Sequence, residues 1–134
     1  DPDVRTRAIE VLVERGGKQA LDAVLRVLRD DDEKVRYRAL YTALNSGLAL
    51  PANTLQSLLQ SDTSPVVRFL ALNAMAEMPG ADRQIVRGMA EIALKDPDPQ
   101  VQDQAREILN QLETAAPPPD TGQQSQKQGG VVPQ

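Results

Sequence analysis

Two acidic clusters are the first candidates for chemistry in this sequence. Asp30 to Glu33 form an unbroken run, and Asp96 and Asp98 flank a proline. Carboxylates at this density can bind a cation or act as a general acid and base. The first cluster, however, has neither the glycine of a calcium loop nor a carboxylate twelve positions from its first ligand. We therefore interpret both clusters as helix N-caps, and we predict no metal site.

Nucleophilic chemistry has no supporting residues. The chain contains no Cys and no His, which excludes disulfides, thiol nucleophiles, imidazole bases and nearly every transition-metal site. Gly16-Gly17 and Gly129-Gly130 do not follow the spacing of a phosphate-binding loop. The sequence therefore predicts a non-catalytic protein without a cofactor.

The charge and hydropathy of the chain indicate which classes of partner it can bind. The net charge of −4 supplies no overall attraction to phosphate backbones, which disfavours nucleic acid. No apolar run approaches the roughly 18 residues that span a bilayer, so we expect a soluble chain without membrane insertion, in a compartment that the sequence does not indicate. Hydrophobic residues make up 40% of the chain but aromatic residues only 2%, which favours helices packed through small and aliphatic side chains.

A Val-Arg pair recurs along the chain, with an Ala three residues after the Arg. It begins at Val4, Val35 and Val67, and a fourth copy at Val101 has Gln102 in place of the Arg. The intervals between these valines are 31, 32 and 34 residues. Such a period predicts an array of structural repeats.

Each copy carries the signals of a helix. Three residues before the valines stand Asp1, Asp32, Ser64 and Asp98, which are good N-caps. Apolar residues then recur zero, four, seven and eight positions from the valine, as at Val4, Ala8, Val11 and Leu12. Second amphipathic segments at 20–28, 55–59 and 85–94 lie between these helices and are bounded by Gly and Pro. Each unit is therefore predicted to be a helix hairpin.

A leucine-rich helix followed by a D-x-D-x-x-V-R-x-x-A turn and helix resembles the HEAT repeat, in the short bacterial form also called the phycobilisome-lyase-type repeat. The resemblance covers Asp1 to about Leu112. It implies an all-α, right-handed α-solenoid of about seven helices in a domain 1–113. This domain would contain a lone inner helix 3–14 and units 18–46, 51–78 and 82–112. In the family the Val-Arg helices line the concave side.

The resemblance also implies a ladder of ion pairs between neighbouring units. Its acidic members map onto Asp30, Asp62 and Asp96, and its basic members map onto Arg5, Arg36 and Arg68. Gln102 departs from the pattern, so the ladder should stop in the last unit.

The two ends of the array carry separate expectations. Residues 114–134 are rich in Pro, Gln and Gly and predict a disordered tail, or alternatively a short peptide that binds elsewhere or folds back on the groove. The first helix should present Val4, Val11 and Leu12 without an outer helix to cover them. We expect a monomeric fragment of a chain that continues upstream.

Helical angles place the residues two, six and nine positions after each valine on the side away from the apolar face. In the first helix these are Thr6, Glu10 and Val13. The three aromatic residues of the chain all occupy such positions in the second and third Val-Arg helices, either as a partner-binding patch or as filler between crowded helices. The candidate partner-binding residues are Tyr37, Arg38, Tyr41, Leu44, Phe69 and Asn73.

These observations favour a protein-interaction scaffold or adaptor that binds a protein or peptide on its concave face. The alternative is an accessory or lyase-like subunit, resembling the phycobilin lyases, that holds a small ligand or chromophore in the concave groove. A nucleic-acid binder similar to the HEAT-like DNA glycosylases would need a basic inner face, and the predicted inner stripe contains no Lys or Arg.

Overall fold

A computed structural model describes residues 1–114, which form seven α-helices and no strand. The prediction of an all-α chain with about seven helices is confirmed. The helices are α1 (Pro2–Arg15), α2 (Gly17–Val27), α3 (Glu33–Ser46), α4 (Ala52–Ser61), α5 (Pro65–Glu77), α6 (Arg83–Ala93) and α7 (Pro99–Thr114). Thr114 ends α7, so only residues 115–134 of the predicted tail lie outside the described part of the chain.

The helices form two layers. The odd-numbered helices pack in succession, α1 on α3, α3 on α5 and α5 on α7. The even-numbered helices form the second layer, and α3, α5 and α7 each contact the even helix that precedes them in the chain. The fold is therefore an α-solenoid of helix hairpins, with α2 and α3, α4 and α5, and α6 and α7 in contact.

Short polar side chains start the odd helices, as predicted. Asp1, Asp32 and Asp98 each accept a hydrogen bond from the N–H two residues ahead, at 3.0, 2.8 and 2.7 Å. Ser64 accepts from the N–H of Val67 at 3.4 Å. Such caps satisfy N–H groups that have no partner inside the helix, and they fix where each Val-Arg helix begins.

The repeated Val and Ala positions form the core between the layers. Val35, Val67 and Val101 are at most 1% exposed, and the alanines four residues after them are equally buried. Alanine at this position leaves the two layers close together, since a larger side chain would have no space there.

The first helix departs from this pattern. Val4 is 64% exposed and Val11 is 44% exposed, because no even helix precedes α1 in the described chain. Instead α1 buries Ile9 and Val13 against α2 and α3. The expectation that Val13 points outward is therefore wrong, since the angular argument considered one helix without its neighbours.

Unit-to-unit packing uses a position that the apolar pattern did not include. Five residues after the valine stand Ile9, Leu40 and Leu72, with exposures of 3%, 0% and 0%. The equivalent residue of α7 is Arg106, which is exposed and pairs with Asp103. The last described helix therefore presents a polar side where the other odd helices present an apolar one.

Candidate functional site

Three arginine–aspartate pairs join neighbouring repeats. Each arginine lies on an odd helix, and each aspartate lies in the turn before the next odd helix. The Nε atoms of Arg5, Arg36 and Arg68 donate to Asp30, Asp62 and Asp96 at 2.7, 2.9 and 2.9 Å. The Nη2 atom of each arginine donates to the second carboxylate oxygen, so all three pairs are bidentate.

Each aspartate of these pairs has a second role in its turn. Oδ1 accepts from the backbone N–H two residues ahead, at 2.9 Å in all three turns. The carboxylate therefore shapes the turn that starts one odd helix while it binds the arginine of the preceding one. This coupling links successive repeats, and it depends on the spacing of the Asp and the Val-Arg pair.

The second and third pairs are well shielded from water. The side chains of Arg36 and Asp62 are 11% and 5% exposed, whereas that of Arg5 is 42% exposed. The Nη1 atoms of Arg36 and Arg68 also donate to the carbonyls of Asp30 and Asp62, at 2.8 and 2.9 Å. All three guanidinium nitrogens of Arg36 and of Arg68 therefore donate, and breaking such a shielded pair costs more than breaking an exposed one because it leaves a buried charge without its partner.

The hydrogen bonds from arginine shift the aspartate titrations. The guanidinium of Arg5 and the N–H of Asp32 hold the pKa of Asp30 below its ordinary value. Burial is the largest single influence on Asp96 and would raise its pKa, but the bonds from Arg68 and the Asp98 N–H outweigh it. The pKa of Asp96 is therefore lowered as well.

In α7 the amide of Gln102 replaces part of the arginine's function. Its Nε2 donates to the carbonyl of Asp96 at 2.5 Å, the contact that Nη1 of Arg36 and Arg68 makes in the earlier repeats. The amide is too short to continue the row of ion pairs. The observed row has three arginine–aspartate pairs within the described residues.

Two tyrosines and an arginine of α3 form a cluster in the odd-helix layer. Tyr37 and Tyr41, one turn apart on α3, stack with their ring centroids 5.8 Å apart and an interplanar angle of 18°. The guanidinium carbon of Arg38 lies 5.7 Å from the Tyr41 centroid, and Arg38 Nη2 donates to Glu10 at 3.0 Å. We call these three residues of α3 the tyrosine cluster.

The predicted exposure of the aromatic rings is only partly observed. Tyr41 is 38% exposed, whereas Tyr37 and Phe69 are half-buried and pack against the core. The prediction used the angles of a single helix, which do not include the neighbouring odd helices that pack beside α3 and α5. Tyr41 is therefore the ring most available to a partner.

An open groove of about 980 Å³ lies beside the tyrosine cluster, with Tyr37 and Arg38 in its lining and Tyr41 outside it. Tyr37 and Arg38 form part of its wall, opposite α1, and the start of α5 adds Val66. Charged residues of both signs line the rest of the groove. They are Asp3, Arg7, Glu10, Glu14, Glu33 and Lys34.

Sequence reasoning did not identify Val66, which is 53% exposed and outside the apolar spacing of its helix. Val66 also lines a small notch of about 90 Å³ between α5 and α7, together with Phe69 and Asp98. The sequence did contain a signal for Val66, because this apolar residue lies in the first turn of its helix and outside the face that packs on the core.

The structure does not bring the remaining predicted residues to the tyrosine cluster. Leu44 lines a separate, mostly apolar cavity of about 240 Å³ between α3, α5 and the turn that precedes α4. Asn73 accepts a hydrogen bond from Gln104 of α7 at 2.9 Å. Both residues therefore make contacts of their own within the solenoid.

The layered hairpins and the repeated ion pairs define an α-solenoid repeat protein. Residues 1–76 match the family model of HEAT repeats, which covers more than half of the chain. The chain belongs to the HEAT repeat family. No curated protein and no solved structure matches the sequence.

HEAT repeats generally mediate protein–protein interaction. Within residues 1–114, no helix has both the length and the apolar character needed to cross a bilayer. The same residues contain no group of three or more acidic side chains that could hold a metal ion.

Proposed function

We propose that this HEAT domain is a non-catalytic interaction module that binds a partner polypeptide on its odd-helix layer, at the tyrosine cluster. The observation that carries the proposal is the exposed ring of Tyr41, stacked on Tyr37 and flanked by Arg38. Tyrosine and arginine are the residues that most often dominate the energy of protein interfaces.

The cluster is held in place before any partner arrives. Tyr37 anchors the stack through its packing against the core, and Glu10 of α1 holds Arg38 across the groove. Side chains that are already ordered lose little conformational entropy on binding. This preorganisation supports a role as an energetic centre of an interface.

The groove suits a polypeptide better than an enclosed small ligand. It is open to solvent, and its wall carries four acidic and three basic side chains including Arg38. Small-molecule sites are usually deep, mostly apolar cavities with few polar groups. Mixed charge around an aromatic centre is the usual composition of a protein interface with a polar rim.

A comparative affinity capture tests the proposal. Immobilised wild-type protein, Tyr41→Ala and Ile92→Ala are exposed to the same lysate, and the retained proteins are quantified by mass spectrometry. Ile92 is 43% exposed on α6, in the other layer, and provides a matched loss of exposed apolar surface. We expect a partner that is retained by wild type and Ile92→Ala but depleted by Tyr41→Ala. Equal retention by all three proteins would contradict the proposal.

A further inference from the structure

The small notch between α5 and α7 has an apolar side and an acidic side. Pro65, Val66 and Phe69 line it from α5, and Asp98 and Gln100 line it from the start of α7. The two helices pack on each other, and each has its preceding even helix in place, α4 on α5 and α6 on α7. All the helices that bound this space are therefore described. We call it the Phe69 notch.

Asp98 has an unused carboxylate oxygen beside the notch. Its Oδ1 caps α7 and accepts from the N–H groups of Gln100 and Val101, at 2.7 and 3.4 Å. Within residues 1–114 its Oδ2 accepts no hydrogen bond, and no Lys or Arg forms an ion pair with Asp98. Asp96, two residues earlier, differs because both of its oxygens accept from Arg68. The Oδ2 atom of Asp98 can therefore accept a charge-assisted hydrogen bond from a partner.

The size of the notch admits the end of one side chain. Its volume of about 90 Å³ corresponds to roughly three water molecules of about 30 Å³ each. Sites for whole small molecules begin at about 300 Å³. Arginine and lysine combine an aliphatic stem, which packs on apolar surface, with a cation that needs a polar partner. The two sides of the notch match these two parts, and the ring of Phe69 favours the planar guanidinium of arginine.

Val66 connects the notch to the tyrosine cluster. It is 53% exposed, and it lines both the notch and the groove that contains Tyr37 and Arg38. A polypeptide bound at the tyrosine cluster therefore needs only to pass over Val66 to reach Asp98. Like charges that face each other weaken binding, so a cationic residue of that polypeptide is disfavoured beside Arg38 and favoured beside Asp98.

We infer that the Phe69 notch is a specificity site for an arginine of the partner polypeptide. The arginine stem lies on Val66 and Phe69, and the guanidinium donates to Oδ2 of Asp98. This inference rests on the proposed function, because it assigns one residue of the polypeptide that binds at the tyrosine cluster. An acidic side chain is repelled by Asp98, and a purely aliphatic one would remove water from the carboxylate without replacing its hydrogen bonds.

A pair of fragments tests the chemistry of the notch without the partner. ¹⁵N-labelled protein is titrated with N-acetylarginine amide and with N-acetylcitrulline amide, which has nearly the same shape but no charge. We expect saturable shifts of the amide resonances of Val66, Phe69 and Gln100, with a Kd of a few millimolar for the arginine compound. The citrulline compound should bind at least about fivefold more weakly. Equal affinities, or shifts confined to other residues, would overturn the inference.

The chain itself suggests a matched variant. Asp98→Ser removes the carboxylate but keeps a helix cap, as Ser64 does at the equivalent position of α5. Asp32→Ser makes the same change at the start of α3, outside the notch. Asp98→Ser should weaken binding of the arginine compound at least about fivefold, whereas Asp32→Ser should leave it unchanged within about twofold. Equal binding by the two variants would contradict the role of Asp98.

The other possible source of a cation is the chain's own C-terminal segment. Residues 115–134 contain one basic residue, Lys127. The substitution Lys127→Gln should not move the amide resonances of Val66, Phe69 and Gln100. A clear movement would assign the notch to this segment and overturn its assignment to a partner.

The comparative capture separates this inference from the proposed function. A partner that is depleted by Tyr41→Ala should also be depleted by Asp98→Ser and retained by Asp32→Ser. Depletion by Tyr41→Ala with full retention by Asp98→Ser would overturn the notch as a specificity site and leave the proposed function intact. Full retention by Tyr41→Ala would contradict the proposed function itself.

Discussion

At the scale of single residues, the arginine–aspartate pairs account for the recurrence of Val-Arg in this sequence. The valine enters the core, and the arginine beside it reaches the turn of the next repeat. Asp62 binds Arg36 with both oxygens while its Oδ1 also accepts from the N–H of Ser64. One carboxylate thus links two repeats, which explains why the spacing of the pair varies so little.

Removal of a shielded carboxylate should therefore be costly. Asp62→Ala leaves the nearly buried guanidinium of Arg36 without its anion, and we expect the free energy of unfolding to fall by about 2–3 kcal/mol. The control is Asp22→Ala, whose partner Lys18 is 85% exposed, and which should cost less than about 0.5 kcal/mol. Chemical denaturation measures both, and equal losses would contradict a special role for the pair.

The lowered pKa values predict sensitivity to acid. Asp30 and Asp96 titrate below the ordinary aspartate value of about 3.9, so their stabilising effect is complete above about pH 5. It is lost as the pH falls through the ordinary value toward the lower folded pKa values. The melting temperature should fall between about pH 5 and pH 2, and it should fall less steeply in Asp96→Asn. An identical pH profile for this variant would show that the ion pair does not contribute.

At the scale of helices, the repeat makes equivalent positions directly comparable. Ala71 of α5 is fully buried between the layers, whereas Ala8 is its exposed equivalent in α1. Ala71→Leu should cost about 1–3 kcal/mol through overpacking, whereas Ala8→Leu should change stability by less than about 0.5 kcal/mol. Thermal and urea denaturation of the two variants measure the difference. Similar effects would mean that the face of α1 around Ala8 is not exposed in solution.

The helices and their first residues could be predicted because their causes are local. Residues within each segment determine both the 3.6-residue period and the N-caps, which are Asp1, Asp32, Ser64 and Asp98. The half-burial of Tyr37 and the burial of Val13 were not predictable in this way. They depend on how neighbouring helices approach, which a single helix's angles do not contain.

In the candidate site, too, features with a local cause could be predicted, whereas contacts between helices could not. The tyrosine pair of the cluster was predictable, because Tyr37 and Tyr41 lie one turn apart on the same face of one helix. The contact of Arg38 with Glu10 spans α1 and α3, and the contribution of Val66 comes from α5. A recurring motif marks the arginine–aspartate pairs between repeats, but these other contacts depend on how neighbouring helices approach, for which the sequence offers no local signal.

At the scale of the whole molecule, the described solenoid contains its own core. The buried residues form one continuous cluster from Ile9 to Ile108 within residues 1–114. Deletion of residues 115–134 should therefore change the free energy of unfolding by less than about 0.5 kcal/mol, because these residues contain little apolar surface to bury. A larger loss in urea denaturation would show that this segment packs on the solenoid.

The most direct test of the central claim is the affinity of the Tyr41→Ala variant for a partner identified by the comparative capture. A hot-spot aromatic typically contributes about 2 kcal/mol, so binding measured by calorimetry should weaken roughly thirtyfold. The melting temperature should fall by at most a few degrees, because Tyr41 is 38% exposed and lies outside the buried core, although its contacts with Tyr37 and Arg38 are lost. Unchanged affinity in Tyr41→Ala, or normal binding by a variant that melts several degrees earlier, would contradict binding at the tyrosine cluster.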